Sequence, residues 1–188
     1  MNELFNRIIA WHEKNLPAGL PYEPLPQIGF LNKELNEVID EFIAGNIDKA
    51  VGEICDIIVF SVNALVLLDW HNELLEADFD KSVIESFNNK ECVRLLMQCV
   101  FNVTYTATAK KTNTEILCDK YTILICVCFN CIESLGYSPK LALLETVKKI
   151  ESRRGAWNPE TGKWEKEKNQ ADVYVPDYCK AKIKKEGE

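Results

Sequence analysis

Two pairs of carboxylates in this chain have a spacing that could hold a metal ion. Glu34 and Glu37 are three residues apart, and Glu53 and Asp56 repeat that separation. Residues three or four apart lie on the same face of a helix, so each pair can point in one direction. Gly45 lies between the pairs and predicts a short turn, which would make the two helices antiparallel neighbours with the pairs facing each other.

The second pair lies in a strongly apolar segment. Glu53 and Asp56 occur within GEICDIIVF, and the nearest basic residues in the sequence are Lys33 and Lys49. A helix that is apolar nearly all round is buried, and a buried carboxylate is unfavourable unless its charge is compensated. A divalent cation with oxygen ligands is the simplest compensation, and Mg²⁺ in phosphate chemistry commonly joins carboxylates to phosphates.

Acidic residues on helices more often form a solvated surface than a metal site. That interpretation is favoured for Asp40 and Glu41, which continue the acidic edge of the first motif. For the four acids of the two pairs, the apolar surroundings and the two-helix arrangement favour a cation site instead.

The elements that must position these acids are helices. Apolar residues recur at helical spacing along most of the chain, and strand-like alternation is scarce, with 172–175 as the main candidate. The segment 16–26 holds four prolines and predicts a loop. The helices are predicted at about 2–15, 27–44, 46–70, 78–88, 92–109, 114–136 and 139–153.

Composition is that of an ordinary globular protein of one domain. The 188 residues are 47% hydrophobic and 27% charged, which excludes a disordered chain. Residues 1–147 hold 21 acidic and 11 basic side chains, whereas 148–188 hold 8 and 11. An acidic body argues against broad nucleic-acid binding. The apolar runs fall short of the roughly 20 residues of a membrane span, so we expect a cytoplasmic protein without a membrane partner.

The cysteines favour a packing role. Cys126, Cys128 and Cys131 form a C-x-C-x-x-C pattern in an apolar stretch. A zinc site usually draws on a second cluster at a defined spacing, and none accompanies this one. Buried free thiols, which behave as small apolar side chains, are the favoured interpretation.

The acidic motifs resemble those of a known superfamily. KELNEVIDEF and GEICDIIVF, with 15 residues between Glu37 and Glu53, are similar to the ExxE and ExxD motifs of the all-alpha NTP pyrophosphohydrolases. Lys33 stands where many members carry a further acid. VKKIESRRGAWNPETGKWEKEK at 147–168 resembles the K-I-x-x-R-x-G and G-x-W/F-x-K-E segments of MazG-like members, including the phage-type branch. The two matches cover about 26–68 and 132–168.

The resemblance implies a fold and a set of site residues. It implies an antiparallel helical bundle over 1–155, with an inserted or lengthened segment at about 69–113 and an irregular tail over 156–188 that packs on the domain or on a neighbouring subunit. Mg²⁺, or Mn²⁺ in its place, would be held by the four acids of the two motifs. The residues implied to meet a triphosphate are Lys149 and Arg153, with Arg154 and Lys163 as weaker candidates. Taken alone, basic residues there equally suit the end of a helix, where they complement its dipole.

The resemblance also implies an activity. The chain would hydrolyse nucleoside triphosphates, with deoxynucleotides favoured, to the monophosphate and pyrophosphate by attack of water on the α-phosphorus. A carboxylate that is not fully committed to the metal can accept the proton of the water, and Glu37 is the candidate for this role. Members commonly build their sites between subunits, so a homodimer or homotetramer is expected. Two alternatives remain open: a helical interaction module that binds a cation without turnover, and a phosphoribosyl-ATP pyrophosphohydrolase.

Overall fold

The chain is mostly helical, which confirms the predicted all-α class. A computed structural model describes residues 1–76, 79, 87–161, 163–168 and 170–183. The helices are α1 (Asn2–Asn15), α2 (Pro24–Ile43), α3 (Ile47–Leu67), α4 (His71–Glu76), α5 (Asn89–Ala107), α6 (Thr114–Ser134) and α7 (Pro139–Ser152).

Helix α3 forms the centre of the bundle. It packs against α1, α2, α6 and α7, and residues such as Ile54, Ile58 and Val62 are completely buried. Among the described residues it is the one helix long and apolar enough to cross a membrane, with a mean hydropathy of 2.0, yet 67% of its apolar window is buried inside the protein. Burial in the bundle accounts for that apolar character, because a core helix is apolar on all sides.

The middle of the chain adds a helix to the bundle's side. Helix α5 packs against both α2 and α6, and it begins after Asn88, whose side chain accepts hydrogen bonds from the backbone N–H groups of Lys90 and Glu91. Helix α4 was not predicted, and the helix predicted at 78–88 falls mostly outside the described residues. Every cysteine is a free thiol. The predicted burial is confirmed for Cys128 and Cys131, whereas Cys126 is only partly buried.

Two sequence predictions about local structure were wrong. Helix α2 begins at Pro24 rather than near 27, because proline suits the first turn of a helix, where its missing N–H is not needed. The segment 172–175 is not a strand. The described strands are instead β1 (Gly155–Asn158) and β2 (Lys163–Lys166), which form an antiparallel hairpin just after α7.

The chain after the hairpin returns to the helices. A 3₁₀ helix at Tyr178–Ala181 lies against α3 and α7, and the backbone N–H of Ser138 donates to the carbonyl of Ala181 at 2.7 Å. A Cβ atom at Gly52 would lie 2.6 Å from the ring of Tyr178, so only glycine allows this approach. The segment 175–179 therefore lies beside the acid-bearing stretch of α3.

Candidate functional site

Three of the four predicted acids converge. Glu34 and Glu37 lie on α2 and Glu53 lies on α3, and one carboxylate oxygen from each is within 4.8 Å of the others. Within the described ranges these residues, here called the acid trio, form the only group of three or more side chains that could share a metal ion. Glu34 and Glu37 share a face of α2 because they are three residues apart, and the packing of α2 on α3 brings that face to Glu53.

The fourth acid has a basic partner. The Lys149 Nζ atom donates a hydrogen bond to Asp56 Oδ2 at 2.6 Å, and the two side chains are only 16% and 15% exposed. Asp56 lies one turn after Glu53 on α3, yet it does not belong to the acid trio. The pair joins α3 to the last turn of α7, so it links two regions that the resemblance assigns to metal and to phosphate.

Lys33 gives the acid trio a counter-charge that was not expected from the sequence. Its Nζ atom donates to Glu34 Oε1 at 3.0 Å and to Glu37 Oε1 at 2.8 Å. The hydrogen bond that Lys33 donates to Glu37 raises the pKa of Lys33. The Lys33 side chain is 59% exposed, so it compensates the acids from the solvent side and can swing away without disturbing the core.

The acid trio contains carboxyls with opposite pKa shifts. Burial raises the pKa of Glu34, and burial followed by the negative charge of Asp56 raises the pKa of Glu53 to about 7. The hydrogen bond from Lys33 lowers the pKa of Glu37. Glu53 forms no hydrogen bond or ion pair with any residue that the structure describes. A partly buried, unpaired carboxylate beside two others is the donor set that a hard divalent cation prefers.

The predicted phosphate-binding residues differ in where they lie. Lys149 is held at the site by the hydrogen bond that it donates to Asp56. Arg153 follows the last residue of α7. Arg154 points toward the tail, where its Nε atom lies 3.5 Å from Glu167 Oε2. Lys163 is exposed at the start of β2.

Sequence reasoning missed one cation near the site. Desolvation lowers the pKa of Lys166, and the positive charges of Arg153, Lys149 and Lys33 lower it further. The negative charge of Asp56 acts in the opposite direction. Lys166 ends β2. Two signals could have identified Lys166: the lysine position of the G-x-W/F-x-K-E segment, which falls on it, and the alternation of side-chain faces along the strand.

A cleft opens beside the acid trio. It has a volume of about 370 Å³ and is lined by Gly52, Glu53 and Lys149 on the helices and by 175–179 on the returning tail. A ligand in this cleft would contact a carboxylate on one side and a cation on the other.

The arrangement is a cluster of carboxylates on two central helices, with cations at its edge supplied by α7 and the hairpin. Such a site can bind a divalent cation together with an anion. No family model, no curated protein and no solved structure matches the chain.

Proposed function

We propose that this chain is a divalent-metal-dependent nucleoside triphosphate pyrophosphohydrolase of the MazG-like type. The observation that supports the proposal is the convergence of Glu34, Glu37 and Glu53 from two helices. Lys149 is paired with Asp56 one turn away, and Arg153 follows at the end of the same helix α7. Hydrolysis of a phosphoanhydride requires carboxylates that hold a cation and, beside them, side chains that bind phosphate.

Mg²⁺ or Mn²⁺ fits the donor set of the acid trio, and Asp56 stands one turn away. A bound divalent cation would neutralise phosphate oxygens and lower the pKa of a water molecule bound to it. Lys33 would then leave Glu34 and Glu37, since its exposed side chain is free to reach solvent. This exchange of one cation for another keeps the buried carboxylates compensated throughout.

Two carboxylates are candidates for accepting the proton of the attacking water. Glu37 is the candidate from the sequence, but its hydrogen bond from Lys33 stabilises the ionised form and lowers its pKa. Glu53 has no partner, and its pKa is raised to about 7. A general base works best when its pKa is near the working pH. A bound cation would displace Lys33 from Glu37 and add positive charge beside both carboxylates, so the base is the one of the two that does not hold the cation.

The cations would act on the leaving group. Attack of water on the α-phosphorus forms a new phosphorus–oxygen bond and breaks the bond to the bridging oxygen, and the electron pair leaves with pyrophosphate. Lys149 beside Asp56 and Arg153 at the end of α7 carry positive charge and would stabilise the charge that develops there.

A second copy of the chain is part of the proposal. Helix α5 exposes three large apolar side chains at successive turns: Met97 is 51% exposed, Phe101 65% and Tyr105 71%. Apolar stripes of this kind commonly mark protein interfaces, which supports the expected homodimer or homotetramer.

The test is a substrate screen with matched variants. The purified protein with Mg²⁺ is assayed against all common NTPs and dNTPs, and release of pyrophosphate is measured separately from release of orthophosphate. We expect pyrophosphate release, and we expect Glu53→Gln to lower it at least ~100-fold, as for loss of one group that stabilises the transition state. Mn²⁺ affinity, measured by titration, should fall in the same variant.

Asp40→Asn is the matched control, because Asp40 is an exposed acid on the same helix as Glu37. It should keep the wild-type rate, and both variants should keep the wild-type helical circular dichroism. Full activity in Glu53→Gln contradicts the proposal. Mn²⁺ binding without turnover of any nucleotide would favour the cation-binding module instead.

A further inference from the structure

Two cations at the edge of the site have no acidic partner. Lys33 is paired with Glu34 and Glu37, and Lys149 is paired with Asp56. Arg153 and Lys166, in contrast, form no ion pair with any residue in the described part of the chain. Side chains of like charge repel each other, so an anion bound between Arg153 and Lys166 would be stabilised by both.

The register of the hairpin places Lys166 on its inner face. Gly155 pairs with Lys166, and Trp157 pairs with Trp164. Paired residues share a face of the hairpin, as do residues two apart along a strand. The Trp164 ring lies 5.3 Å from the ring of Trp11 on α1, so this shared face is turned toward the helices. Lys166 therefore lies on the side of the site.

The same register places Lys163 on the outer face. Lys163 pairs with Asn158, and Ala156 pairs with Glu165. The outer residues bond to each other, since the Asn158 side chain donates to Glu165 Oε1 at 3.0 Å. Lys163 and Lys166 thus carry the same charge on the same strand but point in opposite directions.

Backbone contacts fix Lys166 close to Arg153. The N–H of Glu167 donates to the carbonyl of Arg154 at 3.0 Å, which extends the pairing of the strands up to the end of α7. A Cβ atom at Gly155 would lie 2.3 Å from the carbonyl oxygen of Glu165, so glycine is needed for this close approach. The approach brings Lys166 next to the cations of α7, whose charges act on its pKa.

We propose that Lys166, with Arg153 and Lys149, forms a binding site for the diphosphate end of a polyphosphate. The carboxylates lie on one side of this cation cluster, so the phosphate nearest the acid trio would be the one that reacts, and the two beyond it would lie against the cluster. This inference rests on the proposed function, because that function determines in which direction a bound triphosphate lies. It adds Lys166 as a residue that contacts the departing pyrophosphate and removes Lys163 from that role.

The experiment is a calorimetric titration of the full-length chain with inorganic pyrophosphate, once in EDTA and once with Mg²⁺. Wild type is compared with Lys166→Ala, Lys166→Arg and Lys163→Ala. We expect Lys166→Ala to bind about tenfold more weakly in at least one condition, as for loss of one charge-assisted hydrogen bond. Lys166→Arg should stay within about threefold of wild type and Lys163→Ala within about twofold, since the first keeps the charge and the second removes an outer one.

The outcomes separate this inference from the proposed function. Equal weakening by Lys163→Ala and Lys166→Ala would indicate attraction by overall charge and would overturn the inference, as would unchanged affinity in Lys166→Ala or no pyrophosphate binding by wild type. Nucleotide turnover that persists unchanged in Lys166→Ala overturns the inference and leaves the proposed function standing. Selective loss of pyrophosphate binding in a protein that turns over no nucleotide supports the inference and overturns the function.

Discussion

The acidic and the cationic halves of the candidate site are built differently. Glu34, Glu37 and Glu53 lie on α2 and α3, two helices of 20 and 21 residues that pack extensively on each other. The cationic half combines the end of α7 with strands of four residues each. Long packed helices fix side chains through many contacts, whereas a short hairpin depends on a few. We therefore expect the cationic half to be displaced first when single contacts are removed.

The largest effect is expected at the link between the halves. Lys149→Met removes the partner of Asp56 and leaves a carboxylate that is only 15% exposed without compensation. We expect a loss of about 2–3 kcal/mol of unfolding free energy, toward the lower end of the values for buried ion pairs. Urea denaturation followed by circular dichroism measures this loss.

A double-mutant cycle tests the origin of that loss. Lys149→Met combined with Asp56→Asn should recover part of the stability, because the unpaired charge is gone, with a coupling energy of at least about 1 kcal/mol. Lys140→Met, an exposed lysine on the same helix, should change stability by less than about 0.5 kcal/mol. Purely additive effects of the two substitutions would show that the ion pair does not link the halves.

The acidic half could be predicted from the sequence because helical spacing is local. An i, i+3 pair such as Glu34 and Glu37 shares a face in any regular helix, and an apolar segment around Glu53 implies burial wherever the helix packs. The all-α class and the antiparallel placement of α2 and α3 follow from the same reasoning. The ion pairs of Lys33 are local as well, since Lys33 is the sequence neighbour of Glu34 and lies four residues before Glu37. The motif comparison misses them because it treats Lys33 only as a departure from the pattern.

The cationic half could not be predicted in the same way because its geometry depends on register. Choosing Lys166 over Lys163 requires the pairing of Gly155 with Lys166, and a shift of one residue would reverse every face. Strands of four residues give too short an alternation to be distinguished from coil. The Asp56–Lys149 pair joins residues 93 apart in the chain, a contact that only tertiary packing creates.

Gly155→Ala should displace the hairpin while the helices stay in place. The new Cβ atom would lie 2.3 Å from the Glu165 carbonyl oxygen and 2.5 Å from the Trp164 ring, so β2 must move away. We expect a loss of about 2 kcal/mol, typical of overpacking, together with weaker pyrophosphate binding. Near-ultraviolet circular dichroism of the tryptophans should change, and the helical signal at 222 nm should not.

Gly29→Ala is the matched control on the acidic side. Nothing lies within 4 Å of a Cβ atom at this helical position, and alanine stabilises helix interiors by up to about 1 kcal/mol relative to glycine. It should leave pyrophosphate binding unchanged. If Gly155→Ala left both the tryptophan signal and pyrophosphate binding intact, the hairpin would tolerate the added atom and Lys166 would not depend on this close approach.

Glu145 on α7 binds the returning tail through hydrogen bonds, and its substitution is expected to have the smallest effect on the free energy of unfolding. Its carboxylate accepts hydrogen bonds from Lys148 Nζ at 2.8 Å, from the Tyr174 hydroxyl and from the backbone N–H of Asp177 at 2.9 Å. Burial opposes ionisation, but these three donors outweigh it and lower the pKa of Glu145 to about 2. Glu145→Gln keeps the shape and removes the charge, so we expect a loss of about 1.5 kcal/mol at pH 7.

The loss in Glu145→Gln should depend on pH in a defined direction. The pKa of Glu145 is lower in the folded chain than its ordinary 4.5, so the carboxylate stabilises the fold fully above about pH 4.5, and this contribution disappears as the pH falls toward 2. The difference in unfolding free energy between wild type and variant should therefore shrink over that window. Urea denaturation at pH 7, 4 and 3 measures it, and other carboxyls titrate equally in both proteins. A difference that stays constant from pH 7 to pH 3 would mean that the tail is held by packing, with little help from the charge on Glu145.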